Sequence, residues 1–136
     1  MKSVQDILDR KGSNVVWIEP LESVLEAARL MTEHNVAALV VKIDDYLVGI
    51  VTERDYVRKV VLDHTTSKLT KISEIMTRDV IKVKPETTVE NCVSLMREHH
   101  IRHLPVVVEG KVVGIVSLRD LFLEAIAPRE LLPEGD

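Results

Sequence analysis

Two short runs carry the residue types best suited to chemistry. Gly49-Ile50-Val51-Thr52-Glu53-Arg54-Asp55 and Gly114-Ile115-Val116-Ser117-Leu118-Arg119-Asp120 share Gly-Ile-Val, then a hydroxyl residue, then Arg-Asp. In each, an apolar run reads as a buried strand and passes through Thr or Ser, residues that favour the helix N-cap, into a helix. The first N–H groups of a helix have no intrahelical partner, so such a junction can receive an anion. An Asp one turn in can accept hydrogen bonds from hydroxyl groups. A second cluster, His99-His100-Ile101-Arg102-His103, invites a metal or acid–base reading. His99 and His103 are four apart, but the helix is expected to end near His100, which takes them off one face.

The elements that must position these residues follow from periodicity. Val4 to Arg10 reads as a short amphipathic helix and Val15 to Ile18 as a strand stopped before Pro20. Ser23, with Glu26 three residues on, opens a helix running to about His34. Ala37 to Ile43 and Tyr46 to Val51 form a hairpin around Asp44-Asp45, and Glu53 to about Leu62 is a second helix. Asp63 to Thr70 is polar and reads as a linker. Then the pattern restarts. Ile72 to Met76 echoes Val4 to Leu8, and Val80 to Pro85 echoes Val15 to Pro20. A helix from Thr88 to about His100, a hairpin of Leu104 to Val108 and Val112 to Val116, and a helix from Leu118 to Ala127 complete the copy.

Sliding residues 15–55 forward by 65 positions needs no gap. It pairs Pro20 with Pro85, Leu30-Met31 with Leu95-Met96, Glu33-His34 with Glu98-His99, and Arg54-Asp55 with Arg119-Asp120. The chain is an internal duplication. The domain reading is residues 1–66 for repeat one with its N-terminal helix, 67–127 for repeat two, and 128–136 as a tail. The fold class is α/β of the α+β kind, with two β-α-β-β-α repeats packed sheet to sheet about a pseudo-twofold axis.

Bulk properties narrow the function. The 136 residues are 46% hydrophobic but only 3% aromatic, so the core must be aliphatic. A net charge of −4 argues against a nucleic-acid partner. The single cysteine, Cys92, excludes an intrachain disulfide and gives no zinc spacing; it reads as a buried thiol. No stretch approaches ~18 apolar residues and no signal peptide opens the chain, so the expected location is the cytoplasm, with no membrane partner. No HExxH, Walker A, GxSxG or GxGxxG pattern is present. No residue is assigned as catalytic or as a metal ligand, and the chain is not expected to be an enzyme.

Two β-α-β-β-α units ending in Gly-hydrophobic-hydrophobic-(Thr or Ser)-x-x-Asp resemble a tandem pair of cystathionine β-synthase (CBS) domains, a Bateman module. The run His103-Leu104-Pro105-Val106-Val107 is also typical, and Thr52 to Val60 resembles stand-alone CBS-pair proteins of bacteria and plant organelles. The resemblance covers Val4 to about Ala127. It implies an adenine-nucleotide sensor that takes AMP, ADP, ATP or NAD as ligand, with S-adenosylmethionine ranked below them, requires no metal, forms a homodimer and acts on an unidentified target protein in trans. It also implies that the motif Asp holds ribose hydroxyls and the motif Thr or Ser meets phosphate. By position, cleft one takes Thr52, Arg54, Asp55 and Arg58, with Thr77, Val80 and Ile81 near the base and Ile101, Arg102 and His103 closing it. Cleft two takes Val15, Val16, Val36, Ala37 and Ala38 with Ser117, Arg119 and Asp120.

The two clefts differ in charge. Arg58, Lys59, Arg102 and His103 at the first correspond to Leu123, Glu124, Ala37 and Ala38 at the second, where only Arg119 remains. Because Arg grips phosphate with two charge-assisted hydrogen bonds, the first cleft is expected to take the phosphorylated ligand. The competing readings are plain: Thr52 and Ser117 as caps, Asp55 and Asp120 as first-turn acids, Arg58 and Lys59 as a solvated face, Gly49 and Gly114 as packing positions, and the protein as a ligand-free partner-binding dimer.

Overall fold

A computed structural model describes residues 2–63 and 66–126. The expected tail at 128–136, the end of the last helix at Ala127, and His64 and Thr65 of the linker lie outside the described residues. In chain order the elements are α1 (Val4–Lys11), β1 (Trp17–Ile18), α2 (Val24–His34), β2 (Ala38–Ile43), β3 (Tyr46–Thr52) and α3 (Glu53–Tyr56), which continues as a π-helical turn over Val57–Val61. Then follow α4 (Ile72–Ile75), α5 (Val89–His99), β4 (His103–Val108), β5 (Lys111–Ser117) and α6 (Leu118–Ile126). This is the mixed α+β content expected.

The chain forms two compact units, and they do not follow the sequence boundary at 66/67. One is Val15–Val80; the other joins the residues up to Asn14 to those from Ile81 onward. Thus α1, the leading helix of repeat one, packs within the unit built from repeat two, and α4 packs within the unit built from repeat one. The attachment is the same in both. Val4 N–H donates to Thr87 O (2.8 Å), Gln5 N–H to Pro85 O (2.8 Å) and Val89 N–H to Lys2 O (3.1 Å). In the other unit Ile72 N–H donates to Glu22 O (2.9 Å), Ser73 N–H to Pro20 O (2.9 Å) and Val24 N–H to Thr70 O (2.8 Å). The prolines lack an N–H but keep a carbonyl, and that carbonyl receives the incoming helix.

In the Val15–Val80 unit, β1 runs parallel to β2, with Ile18 opposite Val41, and β2 pairs antiparallel with β3, Ala38 opposite Thr52. Ile18, Ala27, Met31, Leu39, Val41, Val51, Val60, Ile72 and Ile75 form its aliphatic core. In the other unit β4 pairs antiparallel with β5, His103 opposite Ser117, and Val83 makes a parallel bridge to Val106. The strand expected over Val80 to Val83 reduces to that bridge. The core here is Val4, Ile7, Leu8, Val89, Cys92, Met96, Leu104, Val106, Val116 and Leu121. Cys92 is fully buried, and burial pushes its thiol up to about 11, so it stays protonated and inert at neutral pH.

Turns and helix ends repeat across the duplication. Asp44 and Glu109 sit in the left-handed region at the hairpin turns (φ 55° and 51°), and Asn35 and His100 do so at the ends of α2 and α5 (φ 53° and 55°). His100 is therefore a helix cap, and His103 lies on β4, which places His99 and His103 on different elements. Ser23 caps α2 through Glu26 N–H (3.1 Å), but the Glu26 carboxylate pairs with Arg29 and does not return to the cap. Gly49 and Gly114 serve close packing, as expected. A Cβ on Gly49 would stand 2.6 Å from Met76 Sδ, and one on Gly114 would stand 2.8 Å from Leu8 Cδ2. Leu8 and Met76 are equivalent positions of α1 and the end of α4, so each glycine seats the residue that fixes its unit's short helix.

Candidate functional site

At the first motif, β3 ends on Thr52, whose extended backbone (φ −127°, ψ 166°) turns the chain into α3. Thr52 Oγ1 accepts from Asp55 N–H (3.2 Å), and Asp55 Oδ2 accepts from Thr52 N–H (2.9 Å). This is a reciprocal capping box, with Asp in the place usually taken by Glu. Lys59 Nζ stands 3.2 Å from Asp55 Oδ1 and directs its hydrogen bond to Ile75 O (2.8 Å). Thr77 is brought alongside β3 by paired bonds with Ile50 (Thr77 N–H to Ile50 O 2.9 Å, Ile50 N–H to Thr77 O 3.0 Å). Arg54 and Arg58 are exposed on the same helical stretch, and Val80 is buried at the end of the unit. One unit therefore gathers a half-buried carboxylate, a hydroxyl and three cationic side chains.

At the second motif the box is rebuilt with Ser. Ser117 N–H donates to Asp120 Oδ2 (2.7 Å) and Ser117 Oγ accepts from Asp120 N–H (3.2 Å). A third box of this kind, Ser3 with Asp6, opens α1. The hydroxyl-x-x-Asp spacing is thus first of all a way of starting a helix. Asp120 takes its cation from a helix distant in sequence: the Lys11 ammonium donates to Asp120 Oδ2 at 2.8 Å. Burial pushes the Asp120 carboxyl up, but the Lys11 ammonium and the Ser117 N–H outweigh it, and the group sits below its ordinary value.

Beside it, Glu124 is almost wholly buried and pairs with Arg10, while Lys2 Nζ donates to the Glu124 backbone carbonyl. The sequence comparison counted only Arg119 at this motif; the structure adds Lys11. The signal was present. Asp120 and Glu124 are four apart on one helix, a repulsive spacing that calls for a cation from another element. Arg10-Lys11, the basic last turn of α1, supplies two.

The remaining expected residues divide by unit. Val15, Val16, Val36, Ala37 and Ala38 lie in the Val15–Val80 unit, where Ala38 faces Thr52 across the hairpin and Ala37 O accepts from Glu53 N–H (3.0 Å). Val36 and Ala37 line a concavity of about 390 Å3 with Met31, Thr32, Asn35 and Glu53, whose carboxylate suits an anion poorly. Ile81, Ile101, Arg102 and His103 lie in the other unit, where Arg102 O accepts from Leu118 N–H (2.8 Å) and His103 faces Ser117. Among the described residues no group of three or more His, Cys, Asp or Glu side chains converges.

The family model for the CBS domain matches residues 4–62 and 72–126. The chain belongs to the CBS-domain family. It is 38% identical over 128 residues to the mitochondrial CBS domain-containing protein CBSX3 of Arabidopsis thaliana, covering 88% of this chain and 62% of that protein. It is 35% identical over 121 residues to the CBS domain-containing protein YhcV of Bacillus subtilis, covering 89% of this chain and 84% of YhcV. Among solved structures, the CBS domain NE2398 superposes with a TM-score of 0.87 at 46% identity, covering 92% of this chain and 98% of that one. The two family matches bracket the two sequence repeats, so each CBS domain contributes its leading helix to the unit of the other.

Proposed function

We propose that this CBS pair is a regulatory adenine-nucleotide sensor that binds its ligand at the first motif and acts on a partner protein in trans. The observation that carries the reading is the charge arrangement at Asp55. Its carboxylate takes the Thr52 cap bond on Oδ2 and the Lys59 ammonium on Oδ1, and with Lys59, Arg54 and Arg58 on the same helical stretch it offers an acceptor for hydroxyl groups beside cations for phosphate. AMP, ADP, ATP and NAD share this hydroxyl-plus-phosphate chemistry. No catalytic group is assigned to the site.

Thermal unfolding with each of these nucleotides tests the proposal. At ligand about 100-fold above Kd, binding adds roughly 2.7 kcal/mol to stability. A shift with at least one adenylate supports the sensor. No shift with any of the four overturns it, and turnover of the nucleotide would replace it with an enzyme. Mass spectrometry of small molecules that copurify identifies the native ligand.

The association of two copies draws on a separate observation. Val57, Val61 and Leu62 on the first helical stretch, and Leu118, Phe122 and Leu123 on α6, are exposed apolar residues at helical spacing. We propose that a second copy of the chain covers these faces. This association also supports the second reading, a partner-binding dimer that takes no ligand.

A further inference from the structure

We infer that Lys11 is the residue that withholds the second motif from ligand: it occupies the Asp120 carboxylate that would otherwise accept ligand hydroxyls. The inference rests on the proposed adenylate reading of the motif. Three features carry it. First, Lys11 donates to Oδ2, the same oxygen that accepts Ser117 N–H, so the cap bond and the cation converge on one oxygen of the carboxylate. Second, the pair is sheltered, with the Lys11 and Asp120 side chains 33% and 18% exposed. Third, Arg10 next to it is fixed on the buried Glu124, which anchors the last turn of α1 against α6 and keeps Lys11 in reach.

The first motif shelters its pair to a similar degree and differs in where its cation comes from and what else that cation holds. Its cation, Lys59, rides on the same helical stretch as Asp55, approaches the other carboxylate oxygen, and gives its hydrogen bond to Ile75 O. Lys59 is positioned to stay beside a bound phosphate. Lys11 arrives from 109 positions away and competes for the carboxylate itself. A latch closed nine-tenths of the time weakens apparent affinity about tenfold.

Titration calorimetry on the full chain, with AMP, ADP, ATP and NAD in turn, tests this. Wild type is expected to bind one adenylate per chain, and K11M a second, with affinity at the second motif raised about tenfold or more. The double variant K11M/D120N should return to one. K11Q, which drops the charge and keeps the stem, repeats the test should K11M disturb α1. Two equivalent sites in wild type, or unchanged stoichiometry and affinity in both Lys11 variants, overturn the latch while leaving the sensor reading intact. No binding by wild type or by any variant overturns the sensor reading, and the latch with it.

Discussion

The ammonium of Lys11, at the end of α1, lies 2.8 Å from Asp120 Oδ2, at the start of α6. The contact joins the first helix of one CBS repeat to the motif of the other, and it exists only because the leading helices are exchanged between units. Its neighbour, Arg10 on the buried Glu124, ties the same two helices. The second motif thus meets α1, whereas the first meets α4 through Lys59 and the Ile75 carbonyl. Each motif Asp is paired with a lysine, but Asp120 takes its lysine from another helix and Asp55 from its own helical stretch.

Asp55→Ala is expected to weaken adenylate binding by at least about tenfold, the scale of one lost charge-assisted hydrogen bond. Asp120→Ala is expected to change it little, because Lys11 already occupies that carboxylate. Calorimetric Kd values decide; equal losses from the two substitutions contradict the asymmetry.

Acid titration should expose the Lys11–Asp120 pair. The folded Asp120 carboxyl titrates below its unfolded value of ~3.9. The pair therefore stabilises the fold at pH above that value, and the contribution is lost as pH falls through the lower, folded pKa. For a partly exposed pair it is worth about 1 kcal/mol or less. Urea melts from neutral to strongly acidic pH should show K11M less stable than wild type near neutrality, with the two curves converging once Asp120 is protonated.

Removing one partner of Arg10–Glu124 should cost far more than removing both. Arg10→Met leaves a buried carboxylate without its cation, a loss of up to about 3 kcal/mol. R10M/E124M removes the stranded charge and should recover most of it. A double variant as unstable as R10M would show that the pair contributes by packing alone.

Gly49→Ala should destabilise more than Gly114→Ala, within the range of about 1–3 kcal/mol for overpacking. At Gly114 the obstacle is the tip of Leu8, which can rotate. At Gly49 the new methyl would also meet the Thr77 backbone carbonyl at 3.0 Å, and that carbonyl is held by Ile50 N–H. Denaturant midpoints for the two variants give the order.

Phe122→Glu should shift the protein to a smaller mass in light scattering, if a second copy covers the exposed face of α6. An unchanged mass with native circular dichroism would place any self-association elsewhere.

Much of this molecule was legible in its sequence because the relevant interactions are local or periodic. The 65-residue offset fixes equivalent hairpins, and Ile18 opposite Val41 becomes Val83 opposite Val106. Thr52 and Ser117 were legible as caps, whereas the return bonds from Asp55 and Asp120 that close each capping box emerged from the structure. The aliphatic core follows from apolar positions spaced at helix and strand periods. The helix from Glu53 was legible as a helix, but its widening to a π-helical turn at Val57–Val61 was not, since propensity does not distinguish the two ladders.

Tertiary structure alone decided which repeat each leading helix joins, and with it the electrostatics of the second motif. Val4–Lys11 carries the same apolar stripe whichever unit receives it, and both units offer a proline carbonyl and a strand glycine as its seat. The pattern that makes α1 a helix therefore does not choose its partner. Once it packs with repeat two, Leu8 fills the space over Gly114 and Lys11 reaches Asp120, 109 positions along the chain. No periodicity links residues at that separation. Their meeting depends on burial of the α1 face, and burial is settled only when the whole unit is assembled.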